Sequence, residues 1–572
     1  MDDPATLQTE SRPRLWLVLS AAAALAMVAA HFAPDAWPVG PGELLVTHES
    51  DSIARREVAI GGAVPILIES RIGTHDVSVE FPLGIPVKGT VKGSVTVTEA
   101  GTPVRPPLDF VRLDLQLADG RSELIPIVGW NEESESLNAQ RRPPVNAPIV
   151  LGLLAVIVVL WVTEVLPLWI TALIVPVVLV ASGAGTAKAS LAPFFHPIIA
   201  LFFGGFLIAE ALRRVRLDHL AAVTLVTWGG RSPVRLFGAI MGVSAFLSMW
   251  MSNTASTAVL LPIVLAVTAP LGSRAFTKMA VLGLAFAATI GGVGSAVGTP
   301  ANPLAIEFLN DFAGRKIAFV DWFAFGLPMV ILFVPIMGAY LWWRMGVQLD
   351  PQRFGRVRWA ALREYARVRR PTREQWTVLA VFAAVMVTWL TQTWHGLNTG
   401  IVAVAGAVAL GVLGKLKTED LGNISWEALI TFGGGIALGV FMVQSGTSDW
   451  VATRLEGLAV LPSFVAIAGV AVLALALTAV ASNTATAAML VPLAIPLATV
   501  LHVDPVLLVV VVAIASSVDF ALVIGTPPTM IAYSTRLFTA REIFRIGIVL
   551  DLIGIVILVT AVVGLWQLFG IV

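Results

Sequence analysis

"MWMSNTASTAVLLP" at 249–262 and "VASNTATAAMLVP" at 480–492 carry the same triplet, Ser-Asn-Thr, in the middle of otherwise apolar stretches. All three side chains need hydrogen-bond partners. Their surroundings offer few, since 57% of the 572 residues are hydrophobic and only 13% are charged. Soluble domains carry roughly a quarter charged residues, whereas apolar runs of about twenty residues, enough to cross a bilayer, recur here. The fold class expected is therefore a polytopic α-helical membrane protein, and the question is what two polar triplets do inside it.

Several function classes fall away at once. The chain contains no cysteine, so disulfides and thiol chemistry are absent. It has no "GxxxxGK[ST]", "HExxH" or "GxSxG" stretch, which leaves ATP-driven pumping and the common hydrolases without support. No enzyme and no organic cofactor are expected. Lysine plus arginine balances aspartate plus glutamate at 37 each, and nucleic acid is not an expected partner. The apolar run Leu15–Ala33 follows "SRPR"; it is longer than a signal core and reads as a retained helix with the N-terminus inside.

Five regions are expected. Residues 1–33 form a cytoplasmic N-terminus and first transmembrane helix. Residues 34–146 hold "VSVEF", "SVTVT" and "FVRLDLQL", which alternate at the strand period between Gly- and Pro-rich turns, so a small β-domain outside the membrane is expected. Residues 147–343 form a first helical repeat, 344–374 a basic cytoplasmic linker, and 375–572 a second repeat. The linker carries nine arginines against three acidic residues, which orients it inward. Helices are expected at 148–165, 168–186, 197–212, 233–251, 255–271, 278–296, 322–343, 375–391, 398–414, 427–446, 464–480, 485–501, 505–524 and 545–570. Segment 233–271 has basic flanks on both ends and 464–501 has none, so the first re-enters from the cytoplasm and the second from outside. Each hairpin bends at its Ser-Asn-Thr, and the C-terminus lies outside.

The two halves repeat. Ser252-Asn253-Thr254 recurs 230 residues on as Ser482-Asn483-Thr484, and "VGTPANPLAI" at 297–306 recurs 227 residues on as "IGTPPTMIAY" at 524–533. Opposed repeats with interrupted helices mark secondary transporters. Gly-Thr-Pro breaks a helix, because Gly admits unusual backbone angles and Pro removes a donor. Broken helices expose N-terminal amides that favour anions and C-terminal carbonyls that favour hard cations. None of the four motifs contains Lys or Arg, so an anion would rest on dipoles and neutral donors with co-bound cations. A single Ser-Asn-Thr reads as interhelical glue; two copies, each followed by Gly-Thr-Pro, read as the walls of a site.

At these residues the chain resembles the divalent anion/sodium symporter (DASS) family of di- and tricarboxylate and sulfate transporters. "AFLSMWMSNTASTAVLLP", "LTAVASNTATAAMLVP", "WVTEVLPLWITALIVPVVL" and "GTPPTMIA" carry the resemblance, over roughly 10–33 and 148–572. It implies a homodimer with a scaffold and a moving transport domain of elevator type, moving C4-dicarboxylates such as succinate, malate or fumarate with sodium. It also implies one sodium site at Ser248, Ser252, Asn253 and Gly298, and a second at Thr478, Ala481, Asn483 and Gly525. Substrate would meet Asn253, Thr254, Thr299, Pro300, Asn483, Thr484, Thr526 and Pro527. The insertion at 34–146 lies outside the family pattern.

Two departures stand out. Asn302 follows the first Gly-Thr-Pro, but Thr529 stands where a second Asn is usual. Asp519, in "SSVDFALVIGTPP", replaces a small or apolar residue. An ionisable group inside a membrane is a functional hypothesis by default, and Asp519 is open to four readings: cation ligand, proton carrier, repulsion of anionic substrate, or a structural partner of a neighbouring helix. Glu164 reads as a helix-end residue and Glu210 as a partner of Arg213 or Arg214. His196 and His395 flank helices without metal-ligand spacing. The alternatives within transport are a sulfate-like oxyanion carrier or a sodium-independent dicarboxylate exchanger. A non-transporting receptor with an exterior sensing domain is the other class.

Overall fold

The structure is a computed structural model, and it describes residues 4–32, 40–48, 51–60, 65–83, 85, 91–106, 111–116, 122–125, 127–131, 134–141, 146–217, 232–346 and 372–571. Most of the basic linker expected at 344–374 lies outside the described residues. Helix α1 is Pro4–Phe32, over the apolar run expected to be retained.

Ten strands follow. The first sheet has the order β2-β1-β7-β8, from β1 (Gly40–His48), β2 (Asp51–Ile60), β7 (Arg112–Gln116) and β8 (Ser122–Ile125). The second has the order β3-β4-β5-β10-β9, from β3 (Ile66–Ile72), β4 (His75–Phe81), β5 (Val91–Glu99), β9 (Ile127–Asn131) and β10 (Ser136–Arg141); the short β6 (Thr102–Pro103) pairs with β5. The alternation seen in the sequence sets the register. Val77 and Val79 stand opposite Val97 and Val95, and Leu44 and Val46 opposite Leu115 and Leu113. All eight are buried in one apolar cluster shared by both sheets. Period-two side chains put that set on one face, and a one-residue slip would turn it to solvent.

The helical part opens with α2 (Ala147–Thr163) and α3 (Leu168–Ala181), then α4 (Pro197–Arg214). A first helical hairpin, α5 (Pro233–Ser248) and α6 (Asn253–Thr268), leads into α7 (Arg274–Gly291), a break, and α8 (Ala301–Phe312). Next come α9 (Trp322–Met345), α10 (Arg373–Leu390), α11 (Thr399–Val412), α12 (Trp426–Gln444) and α13 (Thr447–Arg454). A second hairpin, α14 (Ser463–Val480) and α15 (Asn483–Val500), leads into α16 (Pro505–Ala515), a second break, α17 (Pro527–Ser534) and α18 (Ala540–Ile557). Pro begins α4, α5, α16 and α17, where its missing amide costs nothing.

Among the described residues, seven helices are long and apolar enough to cross a membrane. Their outward sides keep large apolar groups exposed, among them Ile331, Val472 and Val556, as lipid contact requires. The chain is a polytopic helical membrane protein.

Three differences from the sequence expectation concern the breaks. The helix expected over 505–524 stops at Ala515, and α8 and α17 were not foreseen. At the second break, the Thr478 hydroxyl lies 2.6 Å from the Ser516 carbonyl and takes the place of a helical amide. The chain from Ser516 to Thr526 is then held by side chains rather than by a helical ladder.

Candidate functional site

The bend of each hairpin is built the same way. Ser252 and Ser482 sit in extended conformation as N-caps, and their hydroxyls accept from the amides of Ala255 at 3.2 Å and Ala485 at 3.1 Å. Capping of this kind is the usual task of Ser before a helix. It leaves Asn253 and Asn483 as the first residues of α6 and α15. Asn253 meets Ser248 Oγ at 2.5 Å, and Asn483 Oδ1 meets Thr478 Oγ1 at 2.8 Å. Each Asn is thus pinned by a hydroxyl from the last turn of the helix before it, 230 residues apart in the two halves.

Oxygen crowds around both. One end of the Asn253 amide faces Ser248 Oγ and, at 3.2 Å each, the carbonyls of Ala288 and Gly298. With nitrogen at that end the amide donates to them; with oxygen there, it joins three other oxygens in one cluster, a donor set of the kind a hard cation takes. In the second half, Thr478 Oγ1 stands between Asn483 Oδ1 and the Ser516 carbonyl with a single proton for two acceptors.

The breaks are fixed by buried polar groups. The Asn302 amide donates to the carbonyls of Gly292 at 3.0 Å, Val293 at 3.3 Å and Ser295 at 2.6 Å. Ser295 Oγ donates to the Met249 carbonyl, tying the first break to the bend of the first hairpin. Thr529 cannot reach so far, and instead shares a 2.8 Å hydroxyl contact with Thr526. The second break is held by Asp551, whose carboxylate accepts from the amides of Phe520 at 2.8 Å and Ala521 at 3.2 Å. The breaks meet where Thr299 Oγ1 lies 3.5 Å from Ser517 Oγ. Asn302→Ala removes three donations at a fully buried position, for an expected loss of about 1–3 kcal/mol. Its thermal midpoint in detergent should fall measurably below that of Thr529→Ala.

A cavity of about 480 Å³ opens between the two halves. Its wall includes Ser252, Asn253, Thr254, Gly298, Thr299 and Pro300 from the first, and Asn483, Thr484, Gly525 and Pro527 from the second. Thr526 is not on this wall; it is buried against Thr529. Ser248, Thr478, Ala481 and Asp519 are buried and also do not line the cavity. Four helices, α6, α8, α15 and α17, begin at this cavity; the first amides of α6 and α15 lack helical acceptors, whereas α17 opens with Pro527-Pro528 and brings none at those positions. The amides of α6 and α15 concentrate partial positive charge where no lysine is present.

Toward the Arg213 end of α4 the lining changes. Arg213 Nε donates to Glu210 Oε2 at 2.7 Å, and Asn423 Nδ2 donates to Glu210 Oε1 at 2.9 Å. Phe202 and Phe432 pack with ring centroids 4.9 Å apart. The Glu210–Arg213 pairing follows from i,i+3 spacing. Asn423 and the two aromatics were not foreseen, although the phenylalanines lie in two stretches that share Phe-Gly-Gly, "ALFFGGFLIAEAL" at 200–212 and "LITFGGGIALGVF" at 429–441.

The remaining singled-out residues sit apart. Glu164 ends α2 in a left-handed conformation, and His395 Nε2 pairs with the Thr388 carbonyl at 2.8 Å. His196 Nε2 lies 2.9 Å from Glu307 of α8, with Asp311 close by. Its Nδ1 accepts from the Ile198 amide at 3.4 Å, so Nε2 holds the proton and donates to Glu307.

The sequence profile of the citrate transporter family matches residues 158–513 and 393–571. A protein of Haemophilus influenzae described as an uncharacterized transporter is 32% identical over 73% of this chain and 91% of its own length. The sodium-dependent dicarboxylate transporter SdcS of Staphylococcus saprophyticus is 29% identical over 70% of this chain and 83% of its own. The solved YdaH transporter of Alcanivorax borkumensis aligns with a TM-score of 0.48 at 15% identity, over 67% of this chain and 88% of that one. The chain is thus a transporter and not an enzyme, and it belongs to the citrate transporter family, among the divalent anion/sodium symporters.

Proposed function

We propose that the chain is a secondary active transporter of divalent organic anions, C4-dicarboxylates such as succinate, malate and fumarate, coupled to sodium. The observation that carries this reading is the single cavity walled by Asn253, Thr254, Thr299, Asn483 and Thr484 at the starts of broken helices. Side-chain amide and hydroxyl donors together with the helix N-termini of α6 and α15 suit carboxylates. The oxygens behind Asn253 and Asn483 suit sodium, which would neutralise a dianion in a site without lysine. The staphylococcal relatives are named for sodium-dependent dicarboxylate transport, which favours a dicarboxylate over sulfate.

The substrate contacts are Asn253, Thr254, Thr299, Pro300, Asn483, Thr484 and Pro527, with Thr526 acting through Thr529. The cation sites are Ser248, Ser252, Asn253 and Gly298, and Thr478, Ala481, Asn483 and Gly525. The two hairpins re-enter the membrane from opposite sides as inverted repeats and move as part of an elevator within a homodimer. The protein sits in the plasma membrane with its N-terminus and the 344–374 linker in the cytoplasm, and with 34–146 and the C-terminus outside. The cavity would then face the cytoplasm, past Glu210 and Arg213.

The test is labelled succinate uptake into proteoliposomes. An inward sodium gradient should drive accumulation, and replacing sodium with choline should abolish it. Uptake driven equally well by internal dicarboxylate without sodium would make the protein an exchanger. No flux of any divalent anion would overturn the reading.

A further inference from the structure

The internal repeat assigns Asp519 a counterpart. The 227-residue offset that relates Gly298 to Gly525 also relates Gly292 to Asp519, and Thr289 to Ser516. In the first half, a Cβ placed on Gly292 would run into Asn253 Oδ1 and the Gly298 carbonyl. Any side chain at that position therefore points into the oxygen cluster. In the second half the position has a side chain, and its carboxylate fills the space that a Cβ on Gly525 would take. Gly525 itself is on the cavity wall.

Asp519 is 1% exposed, and neither of its oxygens has a hydrogen-bond partner. The Leu522 amide faces the carboxylate without reaching hydrogen-bond geometry. The other buried acid of this region, Asp551, is satisfied by the two amides of the break. Among the described residues no Lys, Arg or His forms an ion pair with either. A buried carboxylate without donors is strongly disfavoured unless a proton or a metal cation neutralises it, and the oxygens around Gly525 suit the metal cation.

We propose that Asp519 is a direct carboxylate ligand of a monovalent cation, sodium, at Gly525, so that the second cation site carries a fixed negative charge whereas the first, with Gly292, is neutral. The proposal rests on the sodium-coupled reading above and deepens it. One sodium is held by the protein's own charge. The loaded carrier is then one charge more negative than a carrier with two neutral sites, and sodium binds the second site without substrate.

The experiment reads sodium binding alone, on the purified full-length protein without dicarboxylate. Sodium should raise the thermal midpoint through preferential binding to the folded state. Asp519→Asn and Asp519→Gly, the latter restoring the residue of the first half, should each raise the half-effective sodium concentration by about tenfold or more, or about 1.4 kcal/mol. Unchanged sodium dependence in a folded variant overturns the proposal. A wild-type measurement covers variants that fail to fold. Modification of Asp519 by a hydrophobic carbodiimide, read by mass spectrometry, should be lower in sodium chloride than in N-methylglucamine chloride. Equal modification in both salts overturns it. Neither readout involves flux, so failure of succinate uptake and failure of this proposal are separable.

Discussion

Asn253→Ala and Asn483→Ala are each expected to reduce sodium-driven succinate uptake by about 100-fold, and the double variant to leave none above background. Each Asn is shared between the proposed anion site and a proposed cation site. Hydrogen bonds to charged groups contribute about 1.5–3 kcal/mol each, which is about 10–150-fold in affinity. Losing one contact to the anion and one to the cation compounds the two. Truncation also strips Ser248 Oγ or Thr478 Oγ1 of its side-chain partner. Asn398→Ala is the matched control. Its amide oxygen only caps α11, accepting from Gly400 at 2.9 Å and Ile401 at 3.3 Å. It should lower stability by about 1 kcal/mol and leave initial uptake rates nearly unchanged. Full uptake by Asn253→Ala would remove that amide from the site.

Gly298→Ala should be nearly as damaging, for a steric reason. The added methyl would press on the backbone of Gly292 and lie 2.8 Å from the Ser248 carbonyl. Backbone atoms cannot rotate aside as a side chain does, so α5 and the first break would have to part. Overpacking of this kind costs about 1–3 kcal/mol, and it displaces the carbonyls around Asn253. Half-maximal sodium for uptake should rise at least about tenfold, with residual transport of a few per cent. Gly205→Ala, where no atom lies within 4 Å of the added group, should behave as wild type. Equal sodium curves for Gly298→Ala and Gly205→Ala would show that this close approach has no part in cation binding.

Most of the architecture was legible because membrane helices and half-buried strands both advertise their period. The two hairpins were readable from repetition, since a polar triplet is too costly to bury twice in apolar sequence unless the chain bends there and finds partners. The helices α8 and α17 were not, because they are short and follow a Gly-Thr-Pro that signals only an ending. Thr526 matched its counterpart Thr299 by position, yet the change from Asn302 to Thr529 at the following turn drew its hydroxyl away. The Glu210–Asn423 bond joins residues 213 positions apart, beyond the reach of any local pattern. Asp519 could be flagged as an ion out of place, but its apposition to Gly525 required coordinates.

The bond between His196 and Glu307 joins α4 to α8. Helix α4 is packed tightly on α11, where Gly204 abuts the backbone of Ala403, while α8 starts at the first break. In the elevator proposed above, with binding walls sliding past a stationary frame, such a fastening would have to be undone and remade on every stroke. It would then act as a detent, deepening the resting well of one pose and setting how often the machine escapes, while the grip on the cargo stays the same.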